Sequence, residues 1–174
     1  SDFDLDNFSS PLSPVAPAGG RVHAGGVTGT LDFDLDSDTL SIALDADQTF
    51  SLRLTPSANL QGRMEAFDPD GNTLGAIEAS NAGDSLVLQV RAAATTGSYS
   101  VQVDSLAGAG SYTVELFLNA ALEDPDTTDA ASAQDLDGVF STLLDSPATR
   151  AAVVGSMSAP LGTRVLAQED FEDA

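Results

Sequence analysis

An all-β fold, a sandwich or barrel of about eight short antiparallel strands, is what this sequence predicts. Three observations carry it. From residue 27 to 118 apolar side chains recur at every second position, the signature of strands with one buried face. Turn-forming clusters interrupt the alternation roughly every 8 to 13 residues, the interval expected of an all-β domain. The stretch "TGSYSVQVDSLAGAGSYTVELFL", residues 96–118, writes one strand pattern twice, each copy opening on Gly-Ser-Tyr.

The elements follow in chain order. Residues 1–26 read as an extended N-terminal segment, because three of the eight prolines fall within "FSSPLSPVAPAGG". Leu31, Phe33 and Leu35 then alternate with Asp32, Asp34 and Asp36, which predicts a strand with its aspartates on one sheet face. Leu40, Ile42 and Leu44 predict the next strand, and Phe50, Leu52 and Leu54 the one after. Weaker runs at 62–67 and 73–79 flank "DPDGN", which predicts a hairpin: Pro69 presets one turn residue and Gly71 can take a positive φ. Leu86, Leu88 and Val90 form another run. Tyr99, Val101 and Val103, then Tyr112, Val114, Leu116 and Leu118, predict two closing strands that pair as a final hairpin, with both tyrosines in the core.

After Leu118 the chain becomes an acidic flank, residues 119–174. Ala133, Leu136, Phe140 and Leu143 follow helical spacing, so a short helix is expected over 129–144, with Asp129 at its N-cap. The sandwich itself is expected over 27–118. The phrase "DFDLDN" at 2–7 is echoed by "DFDLDS" at 32–37, either as a repeated strand or as a bias of composition.

Charge narrows the function classes. Against 27 acidic residues stand 6 basic ones, all arginine, for a formal charge of −21. Such a chain repels phosphate, so nucleic acid and anionic membrane surfaces are poor partners. No apolar run is long enough to span a bilayer. Cysteine is absent, which removes disulfides, thiolate nucleophiles and zinc–thiolate sites. The first residues, "SDFDLDNFSS", carry neither the basic region nor the apolar region of a signal peptide, and a mature fragment of a longer precursor opens in the same way.

Catalytic chemistry is not legible. His23 is the single histidine and adjoins a Gly-rich stretch, where it reads as a loop residue without a role. No Gly-x-Ser-x-Gly elbow accompanies it. Paired carboxylates could serve glycoside hydrolysis, yet 27 acids would supply such pairs by chance.

Calcium is the ligand that the acidic turns suggest, since a hard cation takes several oxygens from a compact arc. The candidate ligands are Asp34, Asp36 and Asp38 (with Asp32 beside them), Asp68 and Asp70 in the hairpin, and Glu123, Asp124 and Asp126 in the flank. None has the spacing of an EF-hand loop. The competing reading of the same residues is a solvated acidic surface that keeps the protein soluble and discourages edge-to-edge pairing.

The stretch "GVTGTLDFDLDSDTLSIALDADQTFSLRL … MEAFDPDGNTL … TTGSYSVQVDSLAGAGSYTVELF" resembles a bacterial pre-peptidase C-terminal (PPC) module. The segment "EDPDTTDAASAQDLDGVF", residues 123–140, is similar to the opening of a second, truncated copy. Thr39-Leu40 departs from the aromatic usual in the second strand of that family. The resemblance implies a jelly-roll-like β-sandwich, a non-catalytic accessory module of a larger secreted bacterial protein such as a protease or other hydrolase. It also implies an extracellular location, and for some relatives calcium and an insoluble polysaccharide or fibrous protein as ligand.

Overall fold

The computed structural model describes residues 4–6, 13–14, 22–90, 92–122, 141–142, 149–150 and 153–154. Two very short strands come first, β1 (Asp4–Asp6) and β2 (Ser13–Pro14). Eight longer ones follow: β3 (His23–Leu31), β4 (Ser37–Leu44), β5 (Phe50–Pro56), β6 (Gln61–Phe67), β7 (Thr73–Glu78), β8 (Leu86–Val90), β9 (Gly97–Ala107) and β10 (Gly110–Leu118).

These eight form two antiparallel layers, in the orders β4-β9-β6-β7 and β3-β10-β5-β8. Successive strands cross from one sheet to the other at every connection except β6 to β7. That order is a jelly roll, as expected. At the open edges β1 adds to β4 in parallel, and β2 adds to the start of β3 in antiparallel fashion. Parts of the N-terminal stretch read from composition as extended linker thus contribute backbone to both sheets.

Side-chain alternation dictates which atoms fill the interior. Phe50, Leu52 and Leu54 of β5, Val101 and Val103 of β9, and Val114 and Leu116 of β10 are wholly excluded from solvent. Tyr99 and Tyr112 are buried with them, and the Tyr99 ring meets Phe50 edge-on at 6.1 Å. Each such side chain contributes about 1.5–3 kcal/mol of burial. Gly29 is required by this packing, because a Cβ there would collide with the Tyr112 ring.

The two Gly-Ser-Tyr strands do not pair. β9 lies between β4 and β6, whereas β10 lies between β3 and β5. The expected final hairpin is therefore replaced by a corner that carries the chain across the sandwich. Gly108 makes that corner at φ +78°, pressed against the carbonyl of Asn59. The near-identical strands are equivalents: each is an inner strand of its own sheet.

The strand expected over 31–35 is also absent. β3 stops at Leu31, and residues 32–36 form a tight turn to β4. The "DPDGN" hairpin is present between β6 and β7, with Gly71 at φ +83°.

Asn119, at φ +58°, ends β10, but burial continues beyond it. Ala120, Ala121 and Leu122 are fully buried, and Leu122 and Ala120 join Val22 and Phe117 in a small second cluster. Ala121–Leu122 pairs in parallel with Val153–Val154. The helix expected over 129–144 lies outside the described residues except at Ser141–Thr142, which pair with Thr149–Arg150 as short strands instead. No helix among the described residues is long and apolar enough to cross a membrane.

Candidate functional site

The loops of a jelly roll gather at its two ends. At one end lie the turn 32–36 and the connections 57–60, 79–85 and 108–109. At the other lie 45–49, the hairpin 68–72 and 92–96.

The 32–36 turn is built around one carboxylate. Asp36 is nearly buried, at 6% exposure. Its Oδ2 accepts the Asp32 N–H at 2.8 Å and its Oδ1 the Ser37 N–H at 3.0 Å. The Asp36 N–H donates to the Phe33 carbonyl at 3.2 Å, which closes the turn. The neighbouring corner then clamps it: Leu35 N–H donates to the Ser105 carbonyl at 3.1 Å and Ser105 N–H to the Asp36 carbonyl at 2.9 Å. Gly108 N–H donates to Asp34 Oδ1 at 2.7 Å.

Held this way, Leu35 adopts φ +66°. A left-handed leucine is uncommon, because its Cβ crowds the following carbonyl oxygen. Its side chain is 79% exposed and that of Phe33 is 55% exposed. A rigid turn thus presents two large apolar groups to water, alternating with two exposed aspartates, Asp32 and Asp34.

Immediately beneath the turn, Asp38 is 2% exposed and accepts the Tyr112 hydroxyl at 2.7 Å. This bond ties one sheet to the other. Burial pushes the Asp38 carboxyl above the usual aspartate range, the Tyr112 hydroxyl draws it partly back, and the charge of Asp36 adds to the rise. Burial and the same carboxylate push the Tyr112 phenol far up, so it stays a donor. At the opposite end the Tyr99 hydroxyl donates to the Thr95 carbonyl at 2.8 Å, a local bond that holds the loop leading into β9.

The candidate ligands are therefore divided. Asp34, Asp36 and Asp38 belong to one end of the sandwich. Asp68 and Asp70 belong to the hairpin at the other end. Glu123, Asp124 and Asp126 lie outside the described residues. Asp68 accepts the N–H groups of Asp70 and Asn72 and the Asn72 side-chain amide, all within 2.8–2.9 Å. Among the described residues no three acidic or histidine side chains come together to hold a metal ion. Of the five described aspartates, Asp34, Asp36 and Asp68 accept backbone N–H groups and Asp38 accepts the Tyr112 phenol, contacts that a bound cation would have to displace.

His23 opens β3 and is not a loop residue. Its Nδ1 is buried without a hydrogen-bond partner among the described residues.

Two features escaped the sequence reading. Alternation places Phe33 and Leu35 at inward strand positions, although aspartate at every second place is itself a signal against a strand. The other feature is Arg63 on the outer face of β6. It bonds Glu65, meets Asp104 at 2.9 Å and reaches Glu78 at 3.1 Å, which joins β6, β7 and β9. Glu65 is held below the usual carboxylate range, first by the Thr73 hydroxyl and then by Arg63.

The strand order and the buried interior define the class: a jelly-roll β-sandwich. No protein-family model matches the chain. No curated protein matches it either. Among solved structures it is similar to the pre-peptidase C-terminal domain of a collagenase from Bacillus anthracis, at 10% identity and TM-score 0.44, over 67% of this chain and 94% of that one. It is also similar to Aeromonas hydrophila PliG, a periplasmic inhibitor of g-type lysozyme, at 17% identity and TM-score 0.40, over 68% and 97% of the two chains. Likenesses of this size say nothing of activity, and the fold assignment rests on the strand order itself.

Proposed function

We propose that this chain is a non-catalytic accessory module of a larger secreted protein, of the PPC type, which engages a target through its loops. One observation carries the reading. The acidic groups that look chemical in the sequence hold the fold together, while the group of residues turned outward is a rigid turn bearing Phe33 and Leu35. Asp36 and Asp68 organise turns, and Asp38 bolts the sheets together.

The interior supports the same reading, because the space between the sheets is occupied by leucine, valine and tyrosine side chains. The motifs behind the family resemblance also take structural places: "DPDG" is the β6–β7 turn, and each Gly-Ser-Tyr opens an inner strand.

The test uses the whole chain, alone and fused to a reporter protein. The chain alone is assayed for peptidase, esterase and glycosidase turnover, and the fusion for retention on insoluble polysaccharide and on fibrous protein. Retention without turnover is expected. Turnover that scales with protein concentration and disappears in a folded Asp38→Asn variant would sink the proposal.

A further inference from the structure

We infer that the 32–36 turn is a docking tip for a protein surface bearing an apolar pocket ringed by lysine and arginine. This deepens the accessory-module reading and rests on it.

A single exposed leucine is ordinary on a protein surface. Here two large apolar side chains stand on one five-residue turn, Phe33 at 55% and Leu35 at 79% exposure. Ala107 and Ala109, also exposed, extend the apolar surface onto the adjoining corner, which is bonded to the turn through Leu35, Ser105, Gly108 and Asp34.

Nothing in the fold requires leucine at position 35. A left-handed, solvent-exposed position suits glycine or asparagine better on both counts. Local rules broken without a folding gain mark places where something else is selected. The tip is also preorganised, so an incoming partner meets side chains whose backbone is already ordered.

Charge decides what kind of partner fits. Asp32 precedes the apolar pair and Asp34 stands between its two members, and Asp36 and Asp84 sit in the loops of the same end. The connections 57–60, 79–85 and 108–109 hold no lysine, arginine or histidine. Among the described residues, Arg53 and Arg63 lie on the strands, each already facing carboxylates. The approaching surface must therefore supply the positive rim, while its pocket takes the apolar anchors.

The probe is a library of displayed random peptides, selected on the full chain at low salt. Selected peptides are expected to place lysine or arginine around aromatic or aliphatic residues. Their affinity should fall roughly tenfold or more for Phe33→Ser and for Leu35→Gly. It should fall less for Asp32→Asn, with a weaker salt dependence than wild type. The variants change exposed side chains, and circular dichroism with thermal unfolding verifies that each is folded. Peptides that bind the folded variants as well as wild type, or that lack basic residues, overturn the inference. Retention on insoluble polysaccharide that both variants leave intact also overturns it, while preserving the accessory-module reading. Hydrolytic turnover by the chain would instead bring down that reading.

Discussion

A carboxylate between two sheets is tolerable only when something donates to it, and for Asp38 the donor is Tyr112 at 2.7 Å. Its folded pKa lies above the ordinary value of 3.8. The sign follows from that. Asp38 contributes its full stability below the ordinary value, and the contribution is lost as pH rises through the raised folded value. Asp38→Asn keeps an oxygen acceptor for Tyr112 and carries no charge. The variant should therefore be more stable than wild type at neutral pH, with the difference closing as the solution is acidified; unfolding midpoints across pH measure it. Tyr112→Phe leaves the buried carboxylate without this donor and should cost about 1–3 kcal/mol in denaturant unfolding at neutral pH. At Leu35 the direction reverses. Replacing a left-handed leucine with glycine relieves about 1–2 kcal/mol of backbone strain against about 0.5–1 kcal/mol of added chain entropy, so Leu35→Gly should be neutral or stabilising by up to about 1.5 kcal/mol. A large loss of stability in that variant would mean that the leucine packs in a way its exposure denies. The burial of Tyr112 was legible from its place in an alternating run; its bond to Asp38 was not, because the two residues meet only once both sheets are assembled.

At the scale of elements, one phrase takes two shapes. "DFDLD" at 32–36 is a turn, whereas the same five residues at 2–6 include β1, which pairs with β4. Alternation alone cannot separate these outcomes, since the turn is made by Asp36 bonding its neighbours and by contacts to Ser105 and Gly108, far along the chain. The β6–β7 hairpin was legible because its determinants are local. Asp68 carries that turn, and donation by the Asn72 side chain and backbone holds its carboxyl below the usual range. Asp68 thus contributes stability above the unfolded aspartate pKa, and loses it as pH falls through the depressed folded value. Asp68→Ala should speed amide exchange at Asp70 to Asn72 at neutral pH, and the gap from wild type should close in acid. Unchanged exchange would mean that Gly71 and Pro69 suffice to define the turn.

For the whole molecule, a charge of −21 on 174 residues is self-repulsion that any compact form must bear. Added salt screens it over about 10 Å at 0.1 M. Sodium chloride should therefore raise the unfolding midpoint steeply at first and then level off. A fall instead would mean that the Arg53 and Arg63 ion pairs outweigh the general repulsion. The eight-strand sandwich was readable from period and turn spacing. Which sheet each strand joins was not, because alternation distinguishes inward from outward but does not name a neighbour.

That sheet-crossing order has a consequence in time. Leu31 pairs with Gly110, His23 with Leu118, and Ser37 with Asp104, while among the eight longer strands only the β6–β7 pair closes locally. A chain made from its N-terminus completes one sheet only when β9 has emerged and the other only when β10 has, so folding comes late. Any export machinery that accepts only an unfolded polypeptide would have until residue 118 to take hold of this one.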